Sequence, residues 1–323
     1  QFRTDVFDSR SIETLIERLR LVLVAMAADP ARRLSSIDLL DEPEHERLDR
    51  WGNRAVLAQS PAAQWSMPEM FAAQVARAPK ATALSCGERW WTYAELDAAA
   101  NRLAHLLVEQ GARPGQFVAL LFSRSAEAIV SILAVLKTGA AYLPIDPVVP
   151  AARIEFMVGD AEPIAAVTTA EFADRFEGRD LVVVDVDDPR INAYPSTGLP
   201  LPVAGDVAYL IYTSGTTGVP KGVAITHHNA TQLLASLDAG LPSAGVWSQC
   251  HSLAFDVSVW EIFGALLRGG RVVVVPESVT RSPQDLHDVL VAEHVSVLTQ
   301  TPSAVAALSL DGLESASLVV AGE

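Results

Sequence analysis

The sequence predicts an α/β fold in which layered, mostly parallel sheets are flanked by helices, and three observations carry that prediction. Short apolar runs rich in β-branched residues alternate with segments whose apolar residues recur every three or four positions, the pattern of βαβ units. Gly, Pro or Asp bounds each run. The chain has 323 residues, half of them hydrophobic, enough for a sizeable core that needs no metal or disulfide staple.

The elements follow in order. Over 11–28, Ile12, Leu15, Ile16, Leu19, Val22, Leu23 and Met26 recur at helical spacing up to a stop at Asp29-Pro30. Residues 41–68 turn charged and then rich in Ala, Gln, Ser and Pro, a linker composition that places a boundary near 60–66. Beyond it, 95–110 reads as a helix with Leu96, Ala99, Leu103, Leu106 and Leu107 inward, closed by Gly111 and Pro114. A strand is expected over 117–122, a helix over 126–136, and strands over 139–144, 164–168, 181–186, 207–213 and 271–275. A helix over 258–267 and short strands near 297–300 and 319–321 complete the pattern.

Composition excludes several function classes. There are 39 acidic against 24 basic side chains, a net charge of −15 with no Lys/Arg run, which disfavours nucleic acid and membrane surfaces as partners. No apolar run approaches the ~20 residues of a membrane span, and the stretch 19–28 is too short, and interrupted by Arg20, for a signal peptide. Cys86 and Cys250 have no Cys or His at ligand spacing, so no metal site and no disulfide framework is expected, and the reducing cytoplasm is the expected location.

The segment 207–223 is the most informative. A strand runs into Thr213, Ser214, Gly215, Thr216, Thr217 and Gly218, followed by Lys221 and Gly222. Hydroxyls and backbone N–H groups on a glycine-permitted turn can wrap a polyanion, and one lysine adds a compact positive charge. It is not a Walker A loop, because Pro220 precedes Lys221 and Gly222 follows it.

This segment, 212–222, resembles the phosphate-loop signature of adenylate-forming enzymes, specifically the adenylation domains of nonribosomal peptide synthetases. Trp91-Thr-Tyr-Ala-Glu-Leu96 resembles the family's first core motif, Leu136-Lys-Thr-Gly-Ala-Ala-Tyr-Leu-Pro-Ile-Asp-Pro147 its second, and Phe255-Asp-Val-Ser-Val-Trp-Glu261 its fourth. The resemblance implies residues 67–323 as the N-terminal part of an adenylation core of the family's large-subdomain type, truncated. It also implies residues 1–40 as the C-terminal tail of a condensation domain, with 41–66 as linker; Phe2-Arg-Thr-Asp-Val-Phe-Asp8 carries that likeness, while the condensation active-site pattern HHxxxDG is absent. The end at Val319-Val-Ala-Gly-Glu323 resembles the strand and turn before the family's fifth motif. The adenine-stacking aromatic, the ribose-binding aspartate and the C-terminal lysine come later in such enzymes, so the chain taken alone is expected to be inactive.

The activity implied is ATP-dependent: an amino-acid carboxylate attacks the α-phosphorus, Mg²⁺ and loop donors neutralise the departing pyrophosphate, and a phosphopantetheine thiol on a carrier domain captures the aminoacyl-AMP. Such a displacement needs positioning and electrostatics more than a nucleophile. Thr213, Ser214, Gly215, Thr216, Thr217, Gly218 and Lys221 are implied for the triphosphate, with Lys221, Thr213 and His251 as the catalytic candidates; His251 equally suits a structural role. Asp256 is implied as the anchor of the substrate ammonium, since a carboxylate in an otherwise apolar segment wants a partner; a helix N-cap would also suit it. Val257, Trp260, Thr299, Val319 and Ala321 match pocket-lining positions, and with no charge among them a large apolar or aromatic side chain is expected, Phe-like before Leu-like. The implied partners are the amino acid, an upstream condensation domain, a downstream carrier domain and a small MbtH-like activator. Two other readings stay open: an aryl- or acyl-acid ligase of the same superfamily, and a non-catalytic docking segment.

Overall fold

The computed structural model describes residues 2–54, 65–214, 219–236, 241–242 and 244–322, at 235–236 the backbone alone. The chain divides into two compact units, Gln1–Ala62 and Ala63–Glu323. The first carries helices α1 (Ser9–Ala28) and α2 (Glu42–Trp51). Asp8 caps α1 by accepting from the Ser11 N–H at 2.9 Å, and Asp41 with Glu44 forms a capping box on α2. Arg18 pairs with Glu44 at 2.6 Å and ties the two helices together, while Leu15, Ile16, Leu19 and Leu23 stay exposed.

In the second unit, twelve strands among the described residues make two six-stranded sheets. They are β1 (Thr82–Cys86), β2 (Arg89–Thr92), β3 (Phe117–Leu121), β4 (Ala141–Ile145), β5 (Ala165–Thr168), β6 (Val182–Asp185), β7 (Val207–Thr213), β8 (Lys221–Thr226), β9 (Val246–Gln249), β10 (Arg271–Val274), β11 (Val297–Gln300) and β12 (Ser317–Val320). One sheet has the order β12-β11-β9-β10-β1-β2, the other β6-β5-β3-β4-β7-β8. Within each, five strands run parallel and one edge strand, β2 or β8, runs antiparallel. The expected layered, mostly parallel α/β architecture is what forms.

Alternation along the strands separates the layers. Val118 and Leu120 of β3, Tyr209 and Ile211 of β7, and Val272 and Val274 of β10 enter one large central core with helices α3 (Met67–Arg77), α4 (Tyr93–Glu109), α5 (Ala126–Lys137) and α8 (Asp256–Leu266). Their neighbours point the other way. Ala119, Leu121 and Leu210 meet α6 (Ala151–Ala161), and Val273, Val275 and Leu298 meet α10 (Pro283–Ala292). Three further helices complete the count among the described residues: α7 (His227–Ser236), α9 (Glu277–Thr280) and α11 (Pro302–Ala306). The sequence patterns place about half of these elements, each within one or two residues; α8, for one, begins at Asp256 rather than Ser258.

Two contacts explain why motif residues sit where they do. Tyr93 donates its hydroxyl to the Leu266 and Gly270 carbonyls at 3.1 and 2.8 Å, so α4 is pinned to the end of α8. Gly139 has φ +80° and lies against Pro114, where an added Cβ would come within 2.8 Å of the proline ring; only glycine suits the turn into β4.

His227, at the start of α7, is fully buried. Its Nδ1 accepts from the Met67 N–H at 3.4 Å, so the neutral ring joins α7 to α3. Burial pushes the imidazole down from the ordinary 6.5 to about 4, against a weaker upward pull from Asp206. The unfolded chain therefore binds a proton that the folded chain refuses, and stability falls as pH drops from about 6.5 toward 4. We expect a loss of about 2 kcal/mol between about pH 6.5 and 5 in urea titrations, with the slope reduced in His227→Asn, whose amide oxygen can replace Nδ1. An identical slope in that variant would assign the pH dependence elsewhere.

Candidate functional site

Parallel strands of both sheets end at a shared cleft of about 230 Å³. Arg124 follows β3, Asp146 follows β4, Ser252 follows β9, and Thr280 lies in α9 after β10. Carboxyl ends of parallel strands are where open α/β sheets bind ligands. The cleft is cross-braced. Ser252 donates its hydroxyl to Asp146 Oδ2, and Arg124 reaches from one sheet to the other, donating Nε to the Val275 carbonyl and Nη2 to Thr280 Oγ1, each at 2.8 Å.

The phosphate-loop candidates sit on the β7–β8 hairpin. Thr213 and Lys221 are directly paired across its base, and both side chains are exposed, as is Ser214. The Lys221 side chain makes no hydrogen bond or ion pair with a described residue. Gly215, Thr216, Thr217 and Gly218 lie outside the described residues. The base is anchored by Tyr212, whose hydroxyl donates to Asp160 Oδ2 at 2.6 Å; burial, then the Asp160 carboxylate, raises that phenol well above its ordinary value.

The face of β7 decides the direction of these groups. Tyr209 and Ile211 point into the central core, so Thr213, two residues further, takes the same side, and its directly opposed partner Lys221 shares it. That is the side on which α8 packs. Tyr209 links the two: its phenol is pushed up to about 12, first by burial and then by the negative charge of Asp256. β7 thus carries Tyr209 beside Asp256 and, about 13 Å along, Thr213 at the loop.

Asp256 occupies the first turn of α8, where the helix dipole favours a carboxylate. The N-cap role expected as its alternative is not the one it plays, since Phe255 is the cap and no side chain caps this helix. The apolar surroundings expected from the sequence also need correction. Asp256 is exposed, because Phe255 turns outward beside it and the apolar residues of α8 face the other way. It makes no hydrogen bond or ion pair with a described residue.

One turn on, Trp260 donates Nε1–H to Thr299 Oγ1 at 3.2 Å, and Thr299 is in register with Val319 on β12. Trp260 also packs edge-on against Trp247, with centroids 4.8 Å apart. Val319 and Ala321 lie on one side of the chain, half-buried, between the exposed Leu318, Val320 and Gly322. Trp260, Thr299 and Val319 therefore form one wall, with Asp256 a helical turn away. Val257 is half-buried on the same helix.

His251 leaves β9 and is held by a residue the sequence reading passed over. Glu261 of α8, fully buried, accepts from the His251 ring at Nδ1 (2.8 Å) and from the Cys250 and His251 backbone N–H groups (3.2 and 3.1 Å). Glu261, Asp146, Arg124 and Tyr209 are the site residues the sequence reading did not select. Asp146 and Glu261 stood inside motifs and Tyr209 inside the 207–223 segment; Arg124 carried no signal of its own. Among the described residues no helix is long and apolar enough to cross a membrane.

The AMP-binding enzyme family matches residues 71–321. Over 323 residues the chain is 62% identical to the isonitrile lipopeptide synthase of Mycobacterium tuberculosis (strain ATCC 25618 / H37Rv), covering all of this chain and 13% of that protein. Over 319 residues it is 43% identical to the dimodular nonribosomal peptide synthase of Bacillus subtilis (strain 168), covering 94% of this chain and 13% of that one. Among solved structures, the nonribosomal peptide synthetase FmoA3 in its AMPPNP-bound form superposes with a TM-score of 0.84 at 25% identity, over 98% of this chain and 35% of that chain. The α-methyl-L-serine-AMP-bound form gives 0.86 at 24% identity, a likeness of fold.

Proposed function

Since this chain belongs to the AMP-binding enzyme family and its relatives are nonribosomal peptide synthetases, we propose that it is the part of an adenylation domain that activates an α-amino acid with ATP, for transfer to a phosphopantetheine thiol on a carrier domain. The observation that carries this reading is the common face of Thr213, Lys221 and Asp256: two donors for a polyanion and one unpartnered carboxylate for an ammonium, joined through β7 and α8.

In this reading Thr213, Ser214 and Lys221, with Gly215, Thr216, Thr217 and Gly218, hold the triphosphate. Lys221 neutralises charge as the pyrophosphate departs. His251 borders the reacting carboxylate and phosphate. Asp256 orients the amino acid by its ammonium, and Val257, Trp260, Thr299, Val319 and Ala321 receive its side chain. Mg²⁺, which the family implies, fits a donor set of hydroxyls and substrate phosphates; among the described residues no cluster of His, Cys, Asp and Glu offers it a protein cage. Bound there, it would spread the phosphate charge. The first unit is read as the tail of a condensation domain and its linker, which makes that domain the upstream partner and an MbtH-like protein a further one.

The wall composition supports the substrate class. Thr299 already accepts the indole N–H of Trp260, and among the described residues no charged side chain joins Trp260, Thr299 and Val319, so a charged substrate would be left uncompensated. ATP–pyrophosphate exchange by the full-length protein, run with the twenty common amino acids and an aryl acid, is expected to respond most to Phe-like and then Leu-like substrates. Exchange with the aryl acid alone would replace the amino-acid reading, and preference for a charged or very small amino acid would overturn the pocket assignment.

A further inference from the structure

The helix that carries Asp256 and Trp260 also carries a carboxylate with a separate task. Glu261 is completely buried, a costly position for a charge unless donors surround it. Two of its three donors are the backbone N–H groups of Cys250 and His251, one on each oxygen. If holding that loop were its whole task, these two would suffice. The third is the His251 ring: Nδ1 lies 2.8 Å from Oε1, the oxygen that also accepts from Cys250.

A carboxylate only accepts, so the nitrogen facing it is Nδ1–H, whether the ring is neutral or charged. The loop is fixed from the other side as well, since Gln249 Nε2 donates to the His251 carbonyl. With its backbone and Nδ1 held, the ring has one free polar atom. Nε2 makes no hydrogen bond with a described residue and is not sealed from solvent; the side chain is 18% exposed, and the next residue, Ser252, lines the cleft.

The geometry points to Glu261 as the positioning residue for His251: it fixes the Nδ1–H tautomer and the ring orientation, so that Nε2 faces the reacting groups. This rests on the reading of His251 as bordering the adenylate. A leucine in its place keeps much of the bulk but removes both acceptor oxygens, and it leaves the ring free to turn or to change tautomer.

Two measurements test this. The ¹⁵N shifts of the histidine rings in the chain are expected to report Nδ1–H for His251, and a change toward Nε2–H or a mixture in Glu261→Leu. An Nε2–H tautomer in the unmutated chain, or no change in the variant, overturns the inference, and the first of these needs no variant to fold. In the full-length protein, Glu261→Leu should lower kcat for exchange by about 10- to 100-fold while the amino-acid KM stays within about two-fold. In a His251→Ala background the same substitution should cost almost nothing. Losses that multiply across the two sites would make Glu261 a backbone clamp only. If the tautomer is Nδ1–H but no acid supports exchange, it is the adenylation reading that fails.

Discussion

Asp256→Ala in the full-length protein is expected to cut amino-acid-dependent ATP–pyrophosphate exchange by about 100-fold or more in kcat/KM, with the KM for ATP nearly unchanged. The reasoning starts from what the carboxylate lacks. It caps no helix and makes no hydrogen bond or ion pair with a described residue, so the folded chain gains little from it beyond the helix-dipole term. A substrate lying over Trp260 with its ammonium at Asp256 would exclude water there, and only then would the charge pair become strong. Removing the carboxylate leaves the ammonium without its partner, a penalty borne on the amino-acid side. Asp256→Asn separates charge from shape. It should recover little activity, since the amide oxygen accepts a hydrogen bond but carries no charge. Near-normal kinetics for either variant would remove Asp256 from the site, while unaltered thermal stability would keep a folding defect from explaining a loss.

How much of this was legible beforehand depended on the physical source of each feature. Strand β7 was readable residue for residue, because a run of aliphatic and aromatic side chains ends sharply in hydroxyls and glycines. Helices α4 and α5 were readable from apolar spacing, and α4 from its close at Gly111 and Pro114, but the Thr92–Glu95 capping box that starts α4 at Tyr93 was not read. The elements not read include the ten- and eleven-residue helices α2, α3, α6, α7 and α10, and strands that are short or at sheet edges. β8 is an exposed antiparallel edge with little alternation, and β2 is a four-residue strand carrying two tryptophans partly or fully exposed. Their pairing is decided by the neighbouring strand, which no local pattern reports.

The site divided in the same way. Loop hydroxyls and Lys221 announce themselves by clustering, whereas Glu261 stands between Trp260 and Ile262 in a helix that reads as plain core. Its partners are on the exit of β9, and only the packing of α8 against that strand brings them within 3.2 Å. Asp256 was found for a reason that needed correcting. Its segment is apolar in sequence, but the side chain itself faces solvent.

Lys221→Ala is expected to lower exchange by about 100-fold with every amino acid tested, the loss usual when one charge-stabilising donor is removed from a reacting centre. Lys221 opens β8 opposite Thr213, its side chain exposed and bonded to no described residue, so truncating that side chain should leave the hairpin register and the fold in place. Its distance from the substrate wall along β7 is the discriminating feature. A group on the nucleotide side should change the response to ATP and pyrophosphate while leaving the ranking of amino acids unaltered; Asp256→Ala should instead weaken every α-amino acid while leaving the response to ATP nearly unchanged. Lys221→Arg adds a second reading, because a guanidinium is bulkier and forked where a lysine is a point charge on a flexible stem, and it should rescue charge without rescuing position. A Lys221→Ala enzyme whose loss differed by more than about ten-fold between amino acids would place this lysine on the substrate side and break the division of labour that the common face of Thr213, Lys221 and Asp256 implies.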